Sequence, residues 1–216
     1  MDIEAYHRTE LRIALDGADT RRAMPAIPPG VRSILDVGCG AGQTLIASRL
    51  DTSVRAVGLD PDFEALALGR RLGAPVHLVH GRGESLPFAS GSFDMVISRV
   101  ALPYMRLRSA LGEMARVLRP GGTLWLLLHR FGHVAREMLG LLRLGEVRPA
   151  LHRLYVMANG VLANTMGLEI ASPVSGRYES FQTQAGMRRR LSRLGFENFS
   201  ARAGHHFTLT ATKVRP

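Results

Sequence analysis

The sequence predicts an α/β domain built around a mostly parallel β-sheet. Short apolar runs alternate with helical patterns along the first 130 residues, and such alternation is typical of parallel strands joined by helices. The run "TLWLLLHR" at 123–130 is almost entirely apolar, as expected for a strand that is covered on both faces. With 216 residues the chain is long enough to form one domain with a full core.

The predicted strands and helices follow one another in a regular order. Five strands lie in the first part of the chain and two at its end, namely 31–38, 54–60, 74–81, 92–99, 123–130, 197–204 and 205–214. The helices between them are 42–50, 61–73, 108–122 and 183–196. Pro61 is expected to open the second of these helices and Gly73 to close it. A Pro-Gly-Gly turn at 120–122 is expected to stop the third.

The segment 131–180 is longer than a connection within a sheet requires. It contains two apolar helical patterns, 134–145 and 150–167, followed by a loop at 171–180. We expect it to be an insertion that folds as a helical cap over one end of the sheet. Its Leu, Met, Val and Tyr side chains suit a roof over a small apolar molecule. They are equally compatible with core packing or with a contact between two subunits, which makes a homodimer through the insertion an open alternative.

The net charge of +10 and the isoelectric point near 11 raise the question of a nucleic-acid partner. However, 27 of the 28 basic residues are arginines spread along the chain, and Lys213 is the only lysine. This distribution is better explained by a coding bias that replaces lysine with arginine than by a surface that binds phosphates. The arginine cluster at 188–193 lies on a predicted helix, where it is typical of a solvated face. The charge pattern therefore argues against nucleic acid as a partner.

Other features of the composition restrict the compartment. The single cysteine, Cys39, excludes an internal disulfide and fits a reducing cytoplasm. No Cys/His cluster has the spacing of a metal site, and no apolar run approaches the ~20 residues of a membrane span. The N-terminal stretch "MDIEAYHRTEL" lacks the apolar core of a signal peptide. We therefore expect a cytoplasmic protein with neither a bound metal nor a membrane partner.

The stretch "ILDVGCGAGQTL" places Gly38, Gly40 and Gly42 directly after the first predicted strand. Ligands of open parallel sheets bind at the carboxyl ends of the strands, and glycine lets a ligand approach the backbone closely. A dinucleotide fingerprint has the spacing G-x-G-x-x-G, whereas the third glycine here comes one residue early. The alternative is a tight strand-to-helix turn that binds nothing.

Two carboxylates favour a ligand. Asp36 precedes the glycine loop by two residues, where a negative charge suits a cationic ligand better than a pyrophosphate. Asp60 ends the second predicted strand, twenty residues after Gly40, and such a carboxylate accepts hydrogen bonds from ribose hydroxyls. A nucleoside with a positively charged appendage fits both positions, and S-adenosylmethionine is such a molecule.

Together with "GRGESLPFASGSFDMVISRVALPYM" and "LGEMARVLRPGGTLWLLLH", the glycine stretch resembles class I S-adenosylmethionine-dependent methyltransferases, in particular the branch that methylates small metabolites. The likeness runs from about Ile34 to His129. It implies a Rossmann-like, doubly wound sheet of seven strands, mostly parallel, with an antiparallel last strand. A single methyltransferase domain, 1–216, is then expected to carry an N-terminal helical lid at 1–30 and the cap insertion at 131–180.

The resemblance implies roles for the residues around the glycine loop. Gly38, Gly40 and the amides around Gly42 would border the methionine and ribose portions of S-adenosylmethionine, and of the product S-adenosylhomocysteine. Asp36 would lie near the amino group, directly or through water. Asp60 would hold the ribose hydroxyls.

It also implies contacts further along the chain. Pro61 would lie against the adenine, and Gly83 and Glu84 would meet the adenine edge. Ser98 and Arg99, at the end of the fourth strand, would flank the methionine tail.

Arg82 departs from the pattern of the family, which commonly has an acidic residue at this position. A carboxylate accepts a hydrogen bond from the adenine amino group, and an arginine cannot. Three outcomes remain open: Arg82 stacks on the adenine, Glu84 takes over as acceptor, or the affinity for the cofactor is weakened.

Methyl transfer from a sulfonium requires an aligned acceptor and the exclusion of water, and a general base only where the acceptor loses a proton. His129, which closes the fifth predicted strand, and Tyr104, after the fourth, are the candidate catalytic residues. Further candidates on the lid and the cap are Tyr6, His7, His133, His152 and Tyr155.

The function expected is methyl transfer to a small-molecule acceptor. Arginines near the mouth of the site suit a carboxylate or phosphate on that acceptor, or else are solvated: Arg99, Arg130, Arg153 and Arg177. Two alternatives are a methyltransferase that acts on RNA or another macromolecule, and a non-catalytic protein that uses the cofactor fold for binding. The presence of both Asp36 and Asp60 argues against the second.

Overall fold

The computed structural model describes residues 3–73, 76–173, 176–203 and 207–215. Its strands are β1 Ser33–Val37, β2 Arg55–Asp60, β3 His77–His80, β4 Phe93–Arg99, β5 Leu118–Leu128, β6 Phe196–Ala203 and β7 Phe207–Lys213. They form one sheet in the order β3-β2-β1-β4-β5-β7-β6. Strands β1 to β5 are parallel, whereas β7 runs antiparallel to both of its neighbours. The predicted Rossmann-like sheet, including its antiparallel last strand, is confirmed.

Helices cover the sheet and one of its ends. They are α1 Ile3–Leu15, α2 Gln43–Ala47, α3 Phe63–Arg71, α4 Leu107–Val117, α5 Phe131–Arg143, α6 Val147–Thr165 and α7 Gln184–Arg193, with a short 3-10 helix at Leu102–Tyr104. The order of the strands reverses between β1 and β4, so the carboxyl ends of these two strands border the crevice in which open α/β sheets bind ligands.

The sheet separates two layers of buried apolar side chains. Leu35, Val96 and Leu126 face one layer, in which they pack with residues of α4 and α7. Ile34 and Met95, one residue away along their strands, face the other layer, which also holds the N-terminal part of the chain. This alternation of faces shows that the parallel strands are buried on both sides, as their apolar sequence predicts.

Two helix boundaries differ from the prediction. Asp62, and not Pro61, begins α3, because its Oδ1 accepts hydrogen bonds from the backbone N–H of Glu64 (2.9 Å) and Ala65 (3.1 Å). Helix α2 covers only 43–47, the middle of the predicted 42–50.

The boundary between α4 and β5 lies earlier than predicted. Helix α4 ends at Val117, and β5 begins at Leu118, which pairs with Phe93 of β4. Pro120 explains the earlier end of the helix, because its ring disfavours the helical conformation at the preceding residue, Arg119. The predicted Pro-Gly-Gly turn therefore lies inside an irregular start of β5 and not at the end of the helix.

The insertion folds as two helices, α5 and α6, followed by an irregular segment that returns to the sheet. Val134, Val156 and Phe181 form its own small apolar cluster. The backbone N–H of Ser180 donates to the carbonyl of Pro103 (3.2 Å), and that of Gln182 to the carbonyl of His129 (3.1 Å). These bonds fix the segment above the carboxyl ends of β4 and β5.

Parts of three predicted elements lie outside the described residues. They are 74–75 of the third strand, 174–175 of the cap loop and 204–206 at the junction of the last two strands. No helix within the described residues is both long and apolar enough to cross a membrane.

Candidate functional site

The loop between β1 and α2 takes backbone angles that only glycine adopts readily. Gly38, Gly40 and Gly42 have φ of 79°, 55° and 80°, all in the left-handed region. The N–H of Gly38 and of Cys39 both donate to the carbonyl of Leu59, at 2.7 and 3.1 Å. The loop is thereby folded back onto the end of β2.

Asp60, the last residue of β2, holds the glycine loop in place. Its Oδ2 accepts the backbone N–H of Gly40 at 2.8 Å, and its Oδ1 accepts that of Asp62 at 2.8 Å. Burial raises the pKa of this carboxyl, and the two backbone hydrogen bonds oppose the rise. Each carboxylate oxygen has a second lone pair, so Asp60 retains the capacity to accept hydrogen bonds from a ligand.

Asp36 is a carboxyl group buried beneath the same loop. It is 1% exposed, and neither of its oxygens accepts a well-formed hydrogen bond from the described residues. Burial raises its pKa to about 7, while Arg99 and the nearby hydroxyl of Thr44 oppose the rise. A buried carboxyl without hydrogen-bond donors is costly, and the positive end of a ligand would relieve that cost.

Helix α1 forms a roof over the glycine loop. His7 Nδ1 accepts from the side-chain amide of Gln43 at 2.6 Å, and a Cβ added to Gly40 would lie 2.7 Å from Cε1 of His7. The loop can therefore approach α1 this closely only with glycine at position 40. Burial lowers the pKa of His7, although Asp60 opposes the shift. Of the segment expected to form a lid, 1–30, the structure shows Ile3–Leu15 as a helix that contacts α2.

A cavity of about 330 Å³ lies between α1, the glycine loop and the end of β4. Its lining is contributed by α1, the loop, the ends of β2, β4 and β5, and the 3-10 helix: Tyr6, His7, Glu10, Ile13, Arg21, Gly38, Cys39, Gly40, Gln43, Thr44, Asp60, Arg99, Val100, Ala101, Tyr104 and Leu127. Burial raises the pKa of the Cys39 thiol, which fits a small packing residue and not an activated nucleophile.

Asp36 and several other residues that the sequence singled out do not line this cavity. Ser98 is fully buried, and its hydroxyl donates to the carbonyl of Val37 at 2.9 Å, which ties β4 to β1. Gly83 is buried under Met105, whose Sδ would lie 2.6 Å from an added Cβ. Pro61 is exposed to solvent, and Gly42 serves as the N-cap of α2.

Arg82 and Glu84 both lie outside the lining of the cavity. The carboxylate of Glu84 accepts the backbone N–H of Arg106 at 3.0 Å, at the start of α4. This contact directs Glu84 away from the cavity, where sequence analysis considered it as an acceptor for adenine. The side chain of Arg82 is exposed and does not line the cavity either.

A row of three aromatic rings leads from the cavity towards the cap. Tyr104 meets His129 edge-on with ring centroids 5.8 Å apart, and His129 stacks on His133 at 5.6 Å. His133 Nε2 lies 3.5 Å from a carboxylate oxygen of Glu137. Desolvation raises the pKa of Tyr104 to about 12, and Glu179 adds to the rise. Of these residues only Tyr104 lines the cavity itself.

The remaining candidates of the cap hold its parts together. Glu179 accepts from His152 Nε2 and from Arg153, both at 2.8 Å. The hydroxyl of Tyr155 donates to the carbonyl of Ile170 at 2.7 Å. The other two mouth arginines, at 130 and 177, are exposed. Within the described residues no group of three or more His, Cys, Asp or Glu side chains is placed to hold a metal ion.

Sequence analysis missed four polar lining residues, Glu10, Arg21, Gln43 and Thr44. Gln43 and Thr44 follow directly after the glycine loop, so their position was itself a usable signal. Glu10 shares one helix face with Tyr6, four residues earlier, and Tyr6 had already been considered. The sequence offers no comparable signal for Arg21.

Comparison with known proteins agrees with this geometry. Residues 35–126 match the family described as a methyltransferase domain. An uncharacterized methyltransferase of Synechocystis is 38% identical over 109 residues, which cover 49% of this chain and 50% of that relative. The malonyl-[acyl-carrier protein] O-methyltransferase of Enterobacter lignolyticus is 39% identical over 92 residues, or 42% of this chain and 36% of that protein.

A solved structure extends the likeness of the fold to the whole chain. An S-adenosylmethionine-dependent methyltransferase of Thermotoga maritima superimposes with a TM-score of 0.60 and 16% identity, covering 98% of this chain and 91% of that one. Residues 35–126 therefore belong to the methyltransferase domain family, and the chain as a whole shares the fold of an S-adenosylmethionine-dependent methyltransferase. The chain spans about half the length of the first curated relatives it matches.

Proposed function

We propose that this protein transfers a methyl group from S-adenosylmethionine to a small-molecule acceptor. The observation that carries the proposal is the buried carboxyl of Asp36, which lies beneath the glycine loop and lacks well-formed hydrogen bonds from the described residues. Such a group suits the ammonium of the methionine portion. A cavity of about 330 Å³ beside it is of the size that small ligands occupy.

The residues present fit this cofactor. Asp36 is buried and does not line the cavity, so in the proposal it attracts the amino group from beneath the glycine loop, directly or through water. Asp60, which lines the cavity, accepts the ribose hydroxyls on its free lone pairs. Gly38 and Gly40 provide a backbone surface without side chains, which a ligand can approach closely. The guanidinium of Arg99 faces the carboxylate of the methionine tail.

The other predicted contacts act at longer range. Gly42 and Ser98 support the loop and the end of β4, since one caps α2 and the other bonds to β1. Pro61 remains the candidate for the adenine face, because it follows Asp60 directly. Gly83 packs closely against Met105, and the carboxylate of Glu84 accepts the backbone N–H of Arg106 at the start of α4.

S-adenosylmethionine, when bound, supplies a methyl group on a positively charged sulfur. The protein then has to align the acceptor and exclude water. Helix α1 closes one side of the cavity, and the cap segment above β4 and β5 closes another. Tyr104 remains protonated at neutral pH, because its pKa is raised to about 12. It therefore serves as a hydrogen-bond donor that orients the acceptor and not as a base.

His129 is the residue we assign to proton removal where the acceptor carries a proton. It lies against Tyr104, which lines the cavity, and it stacks on His133, whose Nε2 lies 3.5 Å from a carboxylate oxygen of Glu137. The small size of the acceptor is supported by the cap, which covers the carboxyl ends of β4 and β5.

Calorimetric titration of the purified protein with S-adenosylhomocysteine, with NADH as the control ligand, tests the cofactor. Binding of S-adenosylhomocysteine alone is expected. Binding of neither ligand would contradict the proposal and favour a non-catalytic protein.

A panel of small carboxylic acids, phenols and amines, incubated with labelled S-adenosylmethionine, tests the acceptor. Transfer of label to RNA but to no small molecule would contradict the acceptor class. With an accepted substrate, His129→Gln should lower kcat at neutral pH and remove the acidic limb of its pH profile, because a general base is inactive when protonated, whereas His152→Gln in the cap should leave that profile unchanged.

A further inference from the structure

Helix α6 exposes an apolar stripe along one side. Val147, Leu151, Leu154 and Val161 are 59%, 59%, 54% and 49% exposed, and Ala158 between them is exposed as well. Successive residues of this stripe are four, three, four and three positions apart. This is the heptad spacing of the apolar seam through which one helix packs against another. Most buried residues of α6, among them Val156 and Ala163, lie on the opposite side, and the described residues leave the large side chains of the seam about half exposed.

We propose that this seam, Val147–Leu151–Leu154–Ala158–Val161, binds the same seam of a second copy of the chain, with the two α6 helices antiparallel. In an antiparallel pair, a side chain at heptad position a packs against one at position d of the other helix. Ala158 and Leu154 occupy these two positions, so Leu154 of one copy would lie against Ala158 of the other. The small side chain of Ala158 permits a close approach of the helices. The pairing is two-fold symmetric, as most interfaces of homodimers are.

The distribution of charge favours this occupant. The protein carries a net charge of +10, which opposes the approach of two copies over most of its surface. Along the seam no residue is charged. Arg153 lies on another face of α6 and is neutralised by ion pairs with Glu137 and Glu179.

The ends of the helices add charge complementarity. Glu146 precedes α6, is exposed and makes no ion pair with the described residues. The antiparallel register would bring it to the end of the partner helix, where the exposed Arg189 donates to the carbonyl of Asn164 at 2.6 Å. Glu146 of each copy would therefore meet Arg189 of the second copy.

The available area is also adequate. Together with Leu144 (79% exposed) and Met166 (67% exposed) at its two ends, the seam presents on the order of 600 Å² of apolar surface, against the ~800 Å² per partner of a typical stable interface. Helix α5 is less suited to a second copy, because its exposed Leu139 and Leu142 alternate with the exposed Arg136 and Arg143. Pairing that face would bring like charges together.

Sedimentation analysis of the full chain over a range of concentrations tests the proposal. We expect a dimer for the parent chain, a monomer for Leu151→Glu combined with Leu154→Glu, and a dimer for the matched surface change Leu139→Glu on α5. Circular dichroism should show that each variant is folded. A parent chain that stays monomeric at high micromolar concentration would overturn the proposal, as would dimers of the seam variant.

Charge exchange tests the antiparallel register. Glu146→Arg and Arg189→Glu should each weaken the dimer several-fold, and the double variant should recover most of the loss. Disulfide formation offers a second test, because Cys39 is buried and leaves the surface free of thiols. Leu154→Cys combined with Ala158→Cys should cross-link the antiparallel dimer, whereas cross-linking by Ala158→Cys alone would contradict the register.

A lipid surface is the competing occupant of an exposed apolar stripe. Flotation with phosphatidylcholine vesicles, with and without phosphatidylglycerol, distinguishes the two. Monomeric protein that floats with anionic vesicles through Leu151 and Leu154 would overturn the proposal. None of these measurements depends on the acceptor or on cofactor binding.

Discussion

Glu10 of α1 and Arg99 at the end of β4 form an ion pair across the mouth of the cavity. Oε2 of Glu10 accepts from both terminal nitrogens of Arg99, at 2.9 and 2.7 Å. The two side chains are 27% and 11% exposed, so solvent screens the pair only in part. Because Arg99 ends the strand and Glu10 lies in the middle of the helix, the pair fixes the roof of the cavity to the sheet.

Glu10→Gln should loosen α1 without unfolding the protein. Loss of the charge weakens the docking of the helix by about 1 kcal/mol, so the amides of α1 should exchange with solvent about fivefold faster. Hydrogen exchange measured by mass spectrometry checks this. Glu4→Gln is the matched control, because Glu4 is about half exposed and should change exchange less than twofold. Equal effects of the two variants would show that the pair with Arg99 does not hold the roof.

Asp36→Asn should stabilise the ligand-free protein more at high pH than at low pH. Burial raises the folded-state pKa of Asp36 from 3.8 to about 7. Ionisation is therefore easier in the unfolded chain, and the parent protein loses stability as the pH rises from about 4 to about 7. Between pH 5 and pH 8 the free energy of unfolding falls by about 3 kcal/mol for this reason. Asparagine does not ionise, so the variant lacks this decrease. The gain in Tm of the variant should accordingly be about 6 °C larger at pH 8 than at pH 5.

Asp94→Asn is the control for this pH dependence. Although burial opposes the shift, hydrogen bonds from Ser33 and Arg32 lower the pKa of Asp94 below its ordinary value. Asp94 is then ionised in both states at pH 5 and pH 8, and its replacement should change Tm by the same amount at the two values. A Tm difference for Asp36→Asn that does not vary with pH would mean that Asp36 is ionised throughout.

The same Asp36→Asn variant also tests the proposed contact with the amino group. We expect its affinity for S-adenosylhomocysteine to fall at least tenfold, because the charge that faces the ammonium is lost. Methylthioadenosine lacks the α-amino group of the methionine portion, so its affinity should be unchanged. A calorimetric titration with each ligand makes the comparison, and equal losses for both ligands would contradict the assignment.

Asp60→Ala should lower the affinity for S-adenosylhomocysteine at least tenfold, because the acceptor proposed for the ribose hydroxyls is removed and Gly40 loses its 2.8 Å hydrogen bond. Asp62→Ala is the matched control. It removes the N-cap of α3, which should cost about 1 kcal/mol of stability but leave the affinity within twofold. Calorimetry and thermal unfolding of both variants separate the two roles, and an unchanged affinity of Asp60→Ala would remove the ribose assignment.

The sequence predicted the sheet and the position of the glycine loop because both depend on local patterns. Apolar runs mark the strands, and three glycines after a strand mark a turn that requires left-handed backbone. The contacts that complete the cavity are of another kind. Glu10 pairs with a residue 89 positions away in the chain, and no local pattern announces such a contact.

The same reasoning explains why one helix boundary differs from the prediction. Pro61 was expected to open α3, but the next residue, Asp62, has the better capping side chain. Glu84 also makes a contact that no local pattern announces, because its carboxylate accepts from the backbone of Arg106, 22 positions later.

Gly160→Ala should destabilise the cap, because α6 and the returning segment touch at this glycine. A Cβ at Gly160 would lie 2.9 Å from Cγ of Phe181, and closer to the ring edge. Overpacking of this kind costs about 1–3 kcal/mol, which urea unfolding should detect. Gly140→Ala on α5 is the matched control, since its added Cβ would meet nothing within 4 Å. Alanine there should instead stabilise the helix by about 0.5–1 kcal/mol. A gain in stability for both variants would show that Phe181 is not packed against α6.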